Sequence, residues 1–202
     1  MTYEQMNLIN SFRSFTMDME IFKRFVASCI IIFENCFDAL FARLLQVPYE
    51  SFQQMSTYLG GDAAEKYLNQ INQHIIIMVE LLKALKAGNQ QEVDELVVKW
   101  YQNADSTASY MASVNPYWSR EQWQSLLYRD LSMTLSQAMA MTTKDYSKSV
   151  EIFDQLRFHS ILMGDYMARG MMQLLNVQPP QVVLPEPVRS PAGPIPPARS
   201  FR

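Results

Sequence analysis

NQQEVDELVVKWYQNADSTASYMASVNPYWSREQWQSLLYRDLSMT, residues 89–134, decides the fold. From Val93 its apolar residues recur as Leu96, Val97, Trp100, Ala104, Thr107, Tyr110, Met111 and Val114. Steps of three and four put them on one face of a helix. Asn89 with Glu92 forms a capping-box-like start, because each side chain can satisfy a free amide of the first turn. Pro116 lacks an amide hydrogen and disfavours helical geometry at Asn115, so the helix should stop near Val114. Ser119 with Gln122 then starts a second helix, with a stripe of Trp123, Leu126, Leu127, Asp130, Leu131, Thr134, Ala138 and Met141. A linker this short makes the two helices antiparallel neighbours. All three tryptophans lie here, and Tyr117 and Trp118 are expected to cover the end of the core.

The remainder of the chain repeats the pattern. Residues 3–45 are expected to form one long helix on the stripe Phe15, Met19, Phe22, Val26, Cys29, Ile30, Phe33, Phe37, Leu40 and Leu44. Pro48 should end it, with a short helix at 49–58 before the breaker pair Gly60-Gly61. Asp62 with Glu65 opens the next helix, which closes on Gly88. A last helix runs from Thr143–Asp145 to about Leu175, where Ser160 and Gly164 would permit a close approach of a neighbour. Residues 177–202 hold eight of the ten prolines and read as a disordered, proline-rich tail after a helical domain of residues 1–176. The expected fold is all-α: an antiparallel up-and-down bundle of four main helices with a short extra helix.

Composition excludes several classes. Of the 202 residues, 49% are hydrophobic and 18% charged, which suits a packed globule. A net charge of −3 without any Lys/Arg run argues against nucleic acid. The apolar run Phe25–Phe33 is shorter than the roughly 20 residues of a membrane span, so no membrane insertion is expected. Met1–Asn10 shows no secretory-signal pattern. Cys29 and Cys36 lie seven apart on the same expected helix, about 10.5 Å along its axis, too far to bridge. Two reduced, buried thiols fit a cytoplasmic protein.

Chemistry is sparse. No glycine-rich phosphate loop, G-x-S-x-G elbow or Glu-x-x-His pair occurs. Three polar residues fall on core stripes, namely His74, Asn103 and Asp130, and buried polar groups need partners. Two readings follow. His74 and Asp130 bond each other within a buried network that includes Asn103 and the hydroxyls of Thr107, Thr134 and Ser160. Alternatively His74 and Asp130, with His159, hold a divalent metal or a small ligand between the helices. Glu20, Glu34 and Asp38 lie mainly off the first stripe and read as a solvated face.

Lys99-Trp100-Tyr101-Gln102-Asn103-Ala104-Asp105, Asn115-Pro116-Tyr117-Trp118-Ser119 and Leu127-Tyr128-Arg129-Asp130-Leu131 carry a resemblance, together with His74-Ile75 and Met163-Gly164-Asp165. Over residues 17–172 the chain resembles a group of small helical proteins from spore-forming and related bacteria, some of them labelled acetylglutamate kinase. That label has no counterpart in the residues, since an amino-acid kinase needs an α/β fold and phosphate loops. The resemblance implies histidines at the positions of Met19 and Asp130, beside the one matching His74, converging on one interior point as metal sites do. This chain keeps part of that set. Without a catalytic signature, the first expectation is a non-enzymatic interaction or structural module, with a protein partner or a second copy of itself. The alternative is a metal- or small-ligand-binding bundle centred on His74, Asn103 and Asp130.

Overall fold

The computed structural model describes residues 2–33 and 35–175. Every regular element among them is a helix: α1 Tyr3–Ile31, α2 Phe37–Leu59, α3 Gly61–Ala87, α4 Gln90–Val114, α5 Arg120–Thr142 and α6 Tyr146–Leu174. Six helices therefore stand where four main ones and a short one were expected. Each packs against the next, and α6 returns to α1, closing a ring. Helices α1, α3 and α5 also touch one another inside it. The expected tail at 177–202 lies outside the described residues.

Local hydrogen bonding explains most boundaries. Thr2 and Gln5 cap α1 reciprocally. Asn89 accepts from the Glu92 amide at 3.3 Å, and Ser119 from that of Gln122 at 3.1 Å, as the sequence predicts. Gly88 takes φ +70° and closes α3 on the carbonyls of Ala84 and Leu85. The start of α3 differs from expectation: Gly60, not Asp62, is its N-cap.

The first third of the chain departs most. The expected helix 3–45 breaks after Ile31, and α2 folds back against α1. The break brings the Cα atoms of Cys29 and Cys36 to 5.8 Å, and the two sulfurs are bonded. In an unbroken helix this bridge is out of reach, so the expectation of free thiols rested on the wrong helix boundary. With it goes the compartment argument, because a disulfide suits oxidising surroundings. Nor does Pro48 end an element. It lies buried within α2, where Ser51 donates to its carbonyl at 2.9 Å and Arg43 pairs with Glu50 at 2.8 Å.

Small residues set the closest contacts. A Cβ on Gly164 would lie 2.8 Å from backbone atoms of Phe12 and Arg13, so α6 meets the backbone of α1 there. Trp118 caps the end of the core as expected, 3% exposed, and its indole donates to the Tyr166 carbonyl at 3.2 Å.

Candidate functional site

Helices α1, α3, α4, α5 and α6 line a chamber of about 60 Å³. Its walls include Phe15, Met19, Tyr67, Met111, Trp123 and Met167. Its polar groups come from all five helices: Thr16, Glu20 and Lys23 on α1, Tyr67 and His74 on α3, Thr107 on α4, Asp130 on α5 and Ser160 on α6. The positions singled out by the resemblance, Met19, His74 and Asp130, all line it.

An ionic triad dominates the chamber. Lys23 Nζ lies 2.6 Å from Glu20 Oε1 and 2.7 Å from Asp130 Oδ2, with all three side chains about 5% exposed or less. Burial opposes the charge on Lys23, yet the attraction of Asp130 and Glu20 outweighs it and raises the ammonium pKa. Glu20 is pushed well above the usual carboxylate range, first by burial and then by repulsion from Asp130. Burial works the same way on Asp130, but Lys23 and hydrogen bonds from Glu20 and Lys23 prevail and lower its pKa. Burial and mutual repulsion thus push the two acids apart, Glu20 toward its neutral form and Asp130 toward its charged form. Asp130 Oδ1 meets no N–H or hydroxyl donor.

His74 is poised differently. Asn103 donates from Nδ2 to the Gln70 carbonyl at 3.3 Å, which turns its Oδ1 to His74 Nδ1 at 3.2 Å. The hydrogen must then sit on Nδ1, leaving Nε2 as a bare lone pair. Burial, and then the charge of Lys23, lower the pKa to about 4, so the ring is neutral. Its ring centroid lies 5.1 Å from that of Trp100.

The structure thus brings His74, Asn103 and Asp130 into one region, but not the direct His74–Asp130 bond. Asp130 bonds Lys23, and His74 bonds Asn103. His159 does not line the chamber: its Nε2 donates to the Leu126 carbonyl at 2.8 Å. Thr134 is buried, with no partner for its hydroxyl among the described residues. No three His, Cys, Asp or Glu side chains among the described residues are gathered to hold a metal ion.

Two members went unforeseen. Glu20, expected on a solvated face, is 5% exposed, and Lys23 is 4% exposed. The buried arc of α1 is wider than the expected stripe, because α2, α3, α5 and α6 all pack on it. It runs through Phe12, Thr16, Met19, Glu20, Lys23 and Ala27. The available signal was spacing: Lys23 falls four after Met19 and three before Val26. A larger cleft of about 470 Å³ opens beside Tyr117, Leu162 and Tyr166, but it gathers no buried ionisable group.

No protein-family model, no curated protein and no solved structure matches this chain.

Proposed function

We propose that this chain is a small-ligand-binding helical bundle and that the chamber at Glu20, Lys23, His74 and Asp130 is its binding site. One observation carries the proposal: two residues lining the chamber, Asp130 and Trp123, each keep a buried polar atom without a donor or acceptor, Oδ1 and Nε1. Leaving a buried polar atom unpaired costs about 1–3 kcal/mol, so a polar occupant that pairs it is favoured. At about 60 Å³ the chamber is smaller than a cavity of about 150 Å³ that admits benzene. It suits a ligand of a few non-hydrogen atoms. Four methionines in its wall, Met19, Met111, Met163 and Met167, can shift to admit one. A divalent metal is the weaker occupant, because Lys23 already holds the place between both carboxylates.

The test is an amide NMR titration of the full chain with ammonium, methylammonium, formate, urea and methanol. At least one probe should shift the amides of His74, Thr107 and Asp130 saturably. Ser160→Leu, which fills part of the chamber, should abolish the shifts. Linear, non-saturating shifts with every probe would remove the proposal.

A second reading, self-association, draws support from α6. Tyr146, Val150, Phe158 and Leu162 lie along it at 49%, 51%, 73% and 54% exposure. Sedimentation velocity over a wide concentration range tests it, and a monomer throughout would eliminate it.

A further inference from the structure

Nothing in the local sequence requires the break between α1 and α2. The apolar stripe Val26, Cys29, Ile30, Phe33, Phe37, Leu40 and Leu44 keeps helical spacing straight through it, and residues 32–36 hold neither proline nor glycine. Cys36, the N-cap of α2, makes no side-chain capping hydrogen bond. Ile32 keeps right-handed helical geometry, and the amides of Ile32 and Phe33 both reach the Ser28 carbonyl, at 2.8 and 3.1 Å. The turn leaves Ile32 and Phe33 37% and 59% exposed. What the break does have is the Cys29–Cys36 bond. A disulfide needs Cα atoms within about 7 Å, and these two stand at 5.8 Å. A continuous helix would set them about 10.5 Å apart. Bond and straight helix therefore exclude each other.

Topology decides what straightening would do. Helix α2 joins α3 at Gly60, and α2 to α6 each pack on the next. If α2 stays with them, a helix running straight from α1 into α2 carries α1 out of its own bundle. Helix α1 cannot stand alone in water: Phe12 and Val26 are fully buried, and Lys23 is 4% exposed. The same vacated place exists in a second copy. There the α1 backbone at Phe12 and Arg13 meets Gly164, Arg13 meets Asp165, and Lys23 meets Asp130, as they do now within one chain. Exchange of identical elements thus keeps the contacts of α1 with α3, α5 and α6 and adds helical hydrogen bonds across the break. Association opposes it, so the exchange depends on concentration.

We propose that the Cys29–Cys36 disulfide controls exchange of α1 between two copies of this chain. With the bond formed, α1 folds back into its own bundle. With the bond reduced, α1 and α2 join as one helix and two copies exchange their α1 helices. The reduction balances. A dithiol donor gives two electrons and two protons to the S–S bond, two thiols form in this chain, and the donor becomes a disulfide. Each chamber of the exchanged dimer is built by two copies, with Glu20 and Lys23 from one and His74 and Asp130 from the other.

The experiment refolds the full chain from urea over a wide concentration range, once with its disulfide intact and once in dithiothreitol, and reads the mass by sedimentation velocity. The oxidised chain should refold to a monomer throughout. The reduced chain should give a two-chain species whose share grows with concentration. The double variant Cys29→Ser, Cys36→Ser should dimerise with or without the dithiol. Isotope-labelled and unlabelled chains refolded together under reduction should show nuclear Overhauser contacts between Phe12 of one chain and Gly164 of the other. A reduced chain and a double variant that stay monomeric at every concentration overturn the proposal. So does equal dimerisation in both redox states, which points to a surface contact such as the α6 face. A reduced dimer whose Phe12–Gly164 contacts stay within each chain overturns it as well. Failure of both the reduced chain and the double variant to refold, read by circular dichroism, has the same meaning, because exchange requires α1 to dock.

Discussion

Lys23→Met should be among the most damaging single substitutions in this protein, and Asp130→Asn should be much milder. Lys23 lies 2.6 and 2.7 Å from two carboxylate oxygens, with each side chain about 5% exposed or less. At an effective dielectric of 20 each contact is worth about 6 kcal/mol of gross attraction, most of it offset by desolvation. Removing the shared cation strands Asp130, and breaking a buried pair this way costs about 3–5 kcal/mol. That is a large part of the roughly 5–15 kcal/mol that holds a domain folded. Asp130→Asn leaves Lys23 its second partner, Glu20 at 2.6 Å, whose charged form is favoured more once the repulsion from Asp130 is gone. The loss is then about 1.5–3 kcal/mol, one charged hydrogen bond. The pH dependence should also differ in steepness. Between pH 7 and pH 5 the parent already gains from Glu20, whose folded pKa is raised, while Asp130, with a lowered one, stays charged and contributes no slope. In Lys23→Met both acids favour their protonated forms when folded, so stability rises as pH falls and the deficit narrows. Urea unfolding at pH 7 and pH 5, followed by tryptophan emission, measures all of this. If Asp130→Asn is as costly as Lys23→Met, Glu20 is not the reserve partner and the description of the triad is wrong.

Other outcomes follow from single contacts. The His74 pKa is depressed from 6.5 to about 4, so its neutral form stabilises the fold above pH 6.5, and that contribution, up to about 3 kcal/mol, is lost as pH falls toward 4; His74→Phe should flatten the acid limb of the stability profile. Cys36→Ser opens a short loop and should cost about 2 kcal/mol, while thiol titration of the unreduced parent should find no reactive thiol in the native state. Gly164→Ala drives a methyl group against the α1 backbone and should cost about 1–3 kcal/mol, read as a lower urea midpoint.

Much of the architecture was legible because its causes are local. Asn89, Ser119 and Pro116 act on amides within a turn of themselves, and α4 and α5 begin and end where those residues require. The α1–α2 boundary has no such mark. No proline or glycine lies between Ile31 and Phe37, and the break is completed by a disulfide and by α2 packing back on α1. Pro48 misleads for a related reason: tertiary packing holds α2 together where a proline removes only one hydrogen bond. The site was half legible. His74, Asn103 and Asp130 stood out as polar residues on apolar stripes. Glu20 and Lys23 did not, because such side chains are almost always exposed unless paired, and the partner of Lys23 lies 107 residues away.

The triad also separates stability from function. Replacing a buried ionic cluster with apolar residues of similar volume is often neutral, or stabilising by about 1–4 kcal/mol, because desolvation of the charges is no longer needed. If Glu20, Lys23 and Asp130 serve a ligand, the triple variant Glu20→Leu, Lys23→Met, Asp130→Leu should fold at least as stably as the parent and bind none of the small probes that the parent takes. If the cluster instead fixes the helix register, the same variant should show loosened packing, with poor dispersion of its amide spectrum and a shallow urea transition. The unpaired Asp130 Oδ1 and Trp123 Nε1 favour the first outcome. A cluster built only to hold helices in place gains nothing from buried polar atoms left without a partner, whereas a polar ligand can pair them.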